Sequence, residues 1–251
     1  MLTSQRKKAI LDALKRNGQV LANELSVAFN VSEDTVRRDL RELAAEGLLQ
    51  RVHGGALPAS PAVAPFAQRQ NMESEAKRRI AQRAVQMIAP GQVVIVDGGT
   101  TSALLVQNLP DDLSATIVTH SPSVAVALAE HPSIEVILIG GRLYKHSIVS
   151  VGAAAVEAIS HIQADLYFMG VTGVHATVGL STGDFEEAFI KRALAARAAE
   201  TVVLASSAKL NAASPYRIGD ITLAQSIIVE QATEPDRIAP IEAAGVNVVR
   251  A

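Results

Sequence analysis

From residue 10 to residue 43, apolar side chains recur at helical spacing in three successive groups. Ile10, Leu11 and Leu14 form one face of a first helix, which Thr3 or Ser4 is placed to cap and Asn17-Gly18 to stop. Leu25 and Phe29 point inward from a second helix over Ala22 to Phe29, and Asn30-Val31 makes a tight turn. Ser32 then caps a third helix, with Glu33 and Asp34 in its first turn, where negative charge suits the helix dipole. Val36, Leu40 and Leu43 fall at i, i+4 and i+7 and must face the other two helices, which turns Thr35, Arg37, Arg38 and Arg41 toward the open side. Gly47 ends this helix. Leu48 to Val52 then alternates with period two and runs into His53-Gly54-Gly55-Ala56, a hairpin pattern that reads as a wing.

The pattern breaks at Leu57 to Pro65, where Pro58, Pro61 and Pro65 are separated by small residues and can neither continue a helix nor pair as a central strand. This divides the chain into a winged helix-turn-helix domain (1–57), a linker (58–66) and a larger domain (67–251). The larger part opens with a helical pattern from Arg69 to Ala89, which Pro90-Gly91 ends. Short β-branched runs follow at Val93–Val96, Thr116–Val118, Val136–Ile139, Leu166–Met169, Val202–Leu204, Ile227–Val229 and Val246–Val249. Helical stretches separate them at Ser102–Asn108, Ser123–Glu130, Glu186–Glu200 and near Asp236–Ala244, the last weakened by Pro240. Such alternation predicts an α/β domain with a mainly parallel, doubly wound sheet.

Composition narrows the function classes. The absence of cysteine removes disulfides, thiolate metal sites and cysteine nucleophiles. No run of eighteen apolar residues occurs, and the N-terminus reaches charge before any apolar stretch, so a cytoplasmic protein with no membrane partner is expected. The net charge of −2 divides unevenly: residues 1–57 hold nine Lys/Arg and seven Asp/Glu, and the remainder is acidic. His131, His146, His161 and His175 lack metal-ligand spacing. Glu186-Glu187 is explained by a helix start without acid–base catalysis.

A helix whose exposed half carries arginines fits a DNA major groove, and a wing behind it fits the flanking phosphates. The expected DNA-binding residues are Ser32, Thr35, Arg37, Arg38, Arg41, Arg51, His53, Gly54 and Gly55. A three-helix protein-interaction module with solvated arginines is the alternative. In the larger domain, polar or glycine-rich motifs follow five of the strands, at the edge where open α/β sheets bind ligands. They are Asp97-Gly98-Gly99-Thr100-Thr101, Thr119-His120-Ser121, Gly140-Gly141-Arg142, Gly170-Val171-Thr172-Gly173 and Ser206-Ser207-Ala208-Lys209. The first opens a helix and suits an anion, phosphate above all. It is neither a Walker loop nor a dinucleotide fingerprint, so no nucleotide cofactor is implied. The expected effector residues are Asp97, Gly98, Gly99, Thr100, Thr101, Thr119, Ser121, Gly140, Gly141, Arg142 and Lys209, with Arg142 and Lys209 as charge partners.

Val31-Ser32-Glu33-Asp34-Thr35-Val36-Arg37-Arg38-Asp39-Leu40, then Gly47-Leu48-Leu49 and Arg51-Val52-His53-Gly54-Gly55-Ala56, resemble the DeoR family of bacterial regulators. The resemblance extends into the larger domain through Asp97, Gly99 to Thr101, Thr119, Ser121, Gly140, Gly141, Gly179-Leu180, Lys191-Arg192 and Lys209. It departs at His120, where the family usually has asparagine, and at Ser206, where it usually has aspartate. The family's sensor domain resembles sugar-phosphate isomerases and binds phosphorylated sugars or related metabolites. The resemblance therefore implies a homo-oligomeric repressor that binds a double-stranded DNA operator and is controlled by a small phosphorylated metabolite. A sugar-phosphate isomerase-like enzyme with an appended DNA-binding domain is the competing expectation.

Overall fold

The computed structural model describes residues 1–60, 66, 69 and 74–251. Its N-terminal part runs α1 (Thr3–Asn17), β1 (Val20–Leu21), α2 (Ala22–Phe29), α3 (Glu33–Ala45), β2 (Leu49–Val52) and β3 (Gly55–Pro58). Ile10, Leu14, Leu25, Val36, Leu40 and Leu43 pack with Leu49 and Ala56 into a core of their own. Ser32 caps α3, its Oγ accepting from the Thr35 N–H at 3.2 Å. The start of α1 differs from expectation. Thr3 and Ser4 lie inside the first turn, and the Gln5 side chain instead accepts from the N–H of Leu2 at 3.3 Å.

The wing is a three-stranded antiparallel sheet of order β1-β3-β2, with Val20 opposite Ala56 and Arg51 opposite Ala56 on the other side. β1 is only two residues long, too short to leave a periodic signal. Its presence corrects the reading of Gly55. That glycine is buried against β1, where a Cβ would come within 1.9 Å of the Val20 carbonyl oxygen, so its bareness serves strand packing and leaves only Gly54 exposed at the turn. A further tie is invisible to periodicity. Arg6 of α1 and Asp39 of α3 form an ion pair whose side chains are 6% and 1% exposed, with Arg6 Nη2 donating to Asp39 Oδ1 at 3.1 Å.

The larger part begins with α4 (Ser74–Val85), the described portion of the predicted 69–89 helix, which ends four residues early. It continues through β4 (Val93–Val96), α5 (Thr100–Gln107), β5 (Ala115–Thr119), α6 (Pro122–Ala127) and β6 (Ile134–Leu138). After a hairpin of β7 (Arg142–Tyr144) and β8 (Val149–Val151) come α7 (Ala153–Ser160) and β9 (Ala164–Gly170). Then follow β10 (Gly173–His175), β11 (Gly179–Thr182), α8 (Phe185–Ala195), β12 (Ala198–Leu204), β13 (Tyr216–Gly219), β14 (Ser226–Val229), α9 (Pro235–Ala243) and β15 (Asn247–Arg250).

Seven strands form one sheet in the order β15-β14-β12-β9-β4-β5-β6, every pair parallel. Alternation along the strands feeds two cores. Val94, Val96, Leu166, Phe168, Val202 and Leu204 face α4, α5 and α6, whereas Ile95, Tyr167, Met169 and Val203 face α7, α8 and α9. This is the doubly wound α/β fold. Two boundaries moved: Ala198 to Glu200, helix formers by composition, belong to β12 because they pair with Ala164 to Leu166 of β9. Conversely, α9 runs through Pro240. The small sheet β10-β11-β13 and the β7–β8 hairpin occupy segments that the sequence shows only as glycine-bearing loops.

Pro58 closes β3, Ala59 bridges to Ala213 of the larger part, and Ser60 is buried. The rest of the proline-rich linker, 61–65, lies outside the described residues.

The Arg6–Asp39 pair gives a direct test of the N-terminal packing. Asp39→Ala strands a buried guanidinium and should cost about 3–5 kcal/mol in urea denaturation of the full chain. Asp12→Ala, at an exposed position of α1, should stay within about 0.5 kcal/mol.

Candidate functional site

Two surfaces gather the functional side chains. On α3, Arg37, Arg38 and Arg41 are exposed and Thr35 is half-buried behind the Ser32 cap. Arg37 is held along its own helix by Glu33 at 2.7 Å and Asp34 at 3.7 Å. Among the described residues Arg38, Arg41 and Arg51 form no ion pair. A groove between α3 and the wing is lined by Arg37, Arg51, His53 and Gly54. The surface is thus a convex helix edge and an adjacent strand edge, both cationic. That is the shape of a groove reader with a phosphate-contacting flank.

The second surface is a cleft at the carboxyl ends of the parallel strands. β4 is followed by β5 and β6 on one side of it, and β9, β12, β14 and β15 lie on the other. The strand order therefore reverses between β4 and β9, the place where an open α/β sheet leaves a crevice. Gly98 to Ser102 after β4, Gly170 to Thr172 after β9, Thr182, Glu187, Lys191 and Lys209 line it, with Arg69, His146 and Ser147 closing the rim. Gly99 has φ +118°, a backbone state closed to most side chains, and it is the N-cap of α5 without a side-chain cap. The first N–H groups of that helix are thereby left to the cleft.

Beneath the floor lies Asp97, wholly buried. Its Oδ1 accepts from the Gly98 N–H at 2.8 Å and faces His120 Nε2 at 2.7 Å. Oδ2 accepts from the Gly170 N–H at 2.8 Å, from the Tyr167 hydroxyl at 3.2 Å and from Lys191 Nζ. Burial by itself would push this carboxyl up. The Lys191 and His120 charges and hydrogen bonds outweigh that and hold it below the ordinary aspartate range. The Tyr167 hydroxyl is pushed well above its ordinary value by burial and by the Asp97 charge. The other nitrogen of His120, Nδ1, donates to the Ser150 carbonyl at 2.9 Å. Both ring nitrogens are thus engaged, and His120 ties the loop after β5 to Asp97 and to β8.

Of the expected effector residues, Gly98, Gly99, Thr100, Thr101 and Lys209 line the cleft. Asp97, Thr119 and Ser121 sit behind its wall, fully buried. Thr119 Oγ1 accepts from the Ser121 N–H at 3.1 Å, and Ser121 Oγ donates to the Ile148 carbonyl at 3.1 Å, so both fix the loop after β5. Gly140, Gly141 and Arg142 are carried away from the cleft because β6 is the sheet's outer strand and the chain turns there into the β7–β8 hairpin. Arg142 pairs instead with Glu186 at the surface. Polar side chains that line the cleft and are absent from the expected set include Glu187, Lys191, Thr172, Thr182, His146, Ser147 and Arg69. Glu187 and Lys191 are four apart on α8 and both buried, a helical spacing that could have marked them. Thr172 lies in the Gly170-to-Gly173 motif at the same sheet edge and Arg69 opens the 69–89 helical pattern, whereas Thr182, His146 and Ser147 come from short elements without a periodic signal.

Among the described residues no helix is long and apolar enough to cross a membrane. Residues 72–231 match the DeoR C-terminal sensor domain and residues 6–61 the DeoR-like helix-turn-helix domain. A transcriptional regulator of Haloferax volcanii named GlpR is 34% identical, with 99% of this chain and 98% of that protein aligned. The glycerol-3-phosphate regulon repressor of Escherichia coli is 30% identical, with 92% of each chain aligned. Among solved structures, ribose 5-phosphate isomerase A from Methanocaldococcus jannaschii superposes at 19% identity with a TM-score of 0.41 over 54% of each chain. Helix-turn-helix, wing and sensor domain occur together and in order: the chain belongs to the DeoR family of DNA-binding transcription regulators.

Proposed function

We propose that this regulator is a repressor whose hold on its operator is set by a sugar or polyol phosphate in the cleft at β4 and β9. The observation that carries the reading is the pairing of opposite recognition chemistries around one cavity. Lys191 and Lys209, with the uncapped start of α5, attract an anion. Glu187, one turn from Lys191 on the same face of α8, offers a carboxylate, and Thr100, Thr101, Thr172 and Thr182 offer hydroxyls. A ligand with phosphate at one end and hydroxyls along its length uses both sets. A bare nucleobase or an apolar ligand uses neither. A relative named for the glycerol-3-phosphate regulon agrees with this class.

In this reading α3 lies in the major groove with Thr35, Arg37, Arg38 and Arg41 toward bases and phosphates. Arg51, His53 and Gly54 of the wing meet the flanking backbone. A homo-oligomer presents two such readers to half-sites about 34 Å apart or a multiple of that. The ligand controls DNA binding only by preferring one arrangement of the readers, so its affinities for the DNA-bound and free forms must differ.

Thermal-shift titration with glycerol 3-phosphate, glucose 6-phosphate and fructose 6-phosphate tests the ligand class. At least one should raise the melting temperature and release operator DNA, since a ligand selective for the native state stabilises it. No shift with any sugar or polyol phosphate, alongside a shift with an uncharged sugar, refutes the anion half of the reading. Two substitutions separate the surfaces. Arg38→Ala should weaken operator binding roughly 5- to 150-fold in fluorescence anisotropy and leave the ligand-induced thermal shift intact. Thr100→Ala should do the reverse. Operator affinity should also fall linearly with log salt, with a shallower slope in Arg38→Ala if that arginine meets a phosphate.

A further inference from the structure

Arg69 occupies a place in the cleft that effector binding by the sheet alone leaves unexplained. It lies beyond the proline-rich stretch that leads out of the DNA-reading part, and yet it lines the cleft together with Lys191 and Lys209. Two contacts hold it there, and a third ties its neighbour Phe66 to the rim. Its backbone carbonyl accepts from the buried Lys77 Nζ of α4 at 2.6 Å. Its guanidinium stands 5.9 Å over the Phe66 ring. Phe66 is itself buried, and its N–H donates to the His146 carbonyl at 3.2 Å, on the rim of the same cleft. The turn that carries this rim is strained: Ile148, β-branched, has φ +55°.

Held this firmly, Arg69 nevertheless keeps an unsatisfied donor. Among the described residues its Nε is the one buried side-chain polar atom with no hydrogen-bond partner. Burial lowers the guanidinium from its ordinary range, with Glu187 across the cleft pulling the other way. A native fold rarely strands a cationic donor in this way unless something else completes it. The missing partner is an acceptor that enters the cleft, and a planar fork of N–H groups suits a phosphate or carboxylate bidentately.

We infer that Arg69, near the start of the larger domain, is an anion receptor for the effector. The proposal rests on the cleft being the effector site. It adds the route of control. A phosphate that bridges the start of α5 and Arg69 ties the sheet to the first residues of the larger domain, so part of the ligand's binding free energy acts near where the chain arrives from the reader. A ligand held only by Gly98 to Ser102 and Lys209 would stabilise the sheet without engaging Arg69.

The test uses the full chain as wild type, Arg69→Gln, Arg69→Lys and Thr100→Ala, with glycerol 3-phosphate, glucose 6-phosphate and inorganic phosphate as calorimetric probes. Operator release is read by anisotropy as the ratio of affinities with and without probe within each variant. Arg69→Gln should weaken binding of the phosphate probes about 10- to 150-fold, the range for a hydrogen bond to a charged group. The probe concentration that releases operator should rise by the same factor, and Arg69→Lys should recover part of both. In wild type, phenylglyoxal modification of Arg69, followed by peptide mass spectrometry, should slow when probe is present; this holds even if Arg69→Gln folds poorly. Wild-type affinity in Arg69→Gln, with Thr100→Ala impaired, overturns the role of Arg69 and leaves the cleft as the effector site. Failure of every probe to bind wild type brings down both.

Discussion

The cleft depends on one buried carboxylate. Asp97 sits at the reversal of strand order with no exposure to water, a position that by itself would expel its charge. What retains the charge is the company around it: Lys191 from α8, His120 from the loop after β5, the Tyr167 hydroxyl and two backbone N–H groups. The partners come from α8, from the loop after β5, from β9 and from the residue next to Asp97, so satisfying one side chain aligns β4, β5, β9 and α8 at their ligand-facing ends. Because Asp97 ionises below its ordinary range, the stabilisation it supplies is complete above about pH 4. It is lost only as pH falls through the lowered value, so the cleft keeps its geometry across physiological pH.

This arrangement also sets the sign of the cleft. Lys191 is committed to Asp97 on one side and lines the cavity on the other. The buried Lys191 ammonium thus brings positive charge to the floor without any exposed lysine cluster on the sheet. Arg69 and Lys209 then enter from the start of the larger domain and from the loop after β12. Glu187, hydrogen-bonded by Thr182 at 3.3 Å, supplies the opposite charge at the α8 wall. Cationic and hydroxyl-binding groups are in this way gathered around one cavity, and the reader is left free of that chemistry. Its own buried ion pair, Arg6–Asp39, does a different task, fixing α1 against α3 so that Arg38 and Arg41 stay outward.

The main elements of both parts were legible in the sequence because they are long enough to show a period. Val36, Leu40 and Leu43 name the buried face of α3, and the β-branched runs name the seven strands of the sheet. The short pieces were not: β1 has two residues, and β7, β8 and β10 three each. Their absence misled the site reading. Without the β7–β8 hairpin, Gly140-Gly141-Arg142 looks like another cleft motif, and without β1, Gly55 looks like a phosphate-approach glycine. Asp97 shows a deeper limit. A motif tells which residues gather at a strand end, but only the three-dimensional contacts tell which face the cavity and which hold it up from behind. Arg69 shows the converse, a residue at the start of the 69–89 helical pattern that no motif marks for the cleft it lines.

Hydrogen–deuterium exchange of the full chain, with and without glycerol 3-phosphate or a hexose phosphate, tests the central claim most directly. The account predicts slowed exchange at the amides of residues 98–102 and 170–172 and at the start of α8. Protection confined to α3 and the wing, or unchanged exchange around the β4 and β9 ends at saturating ligand, would contradict it.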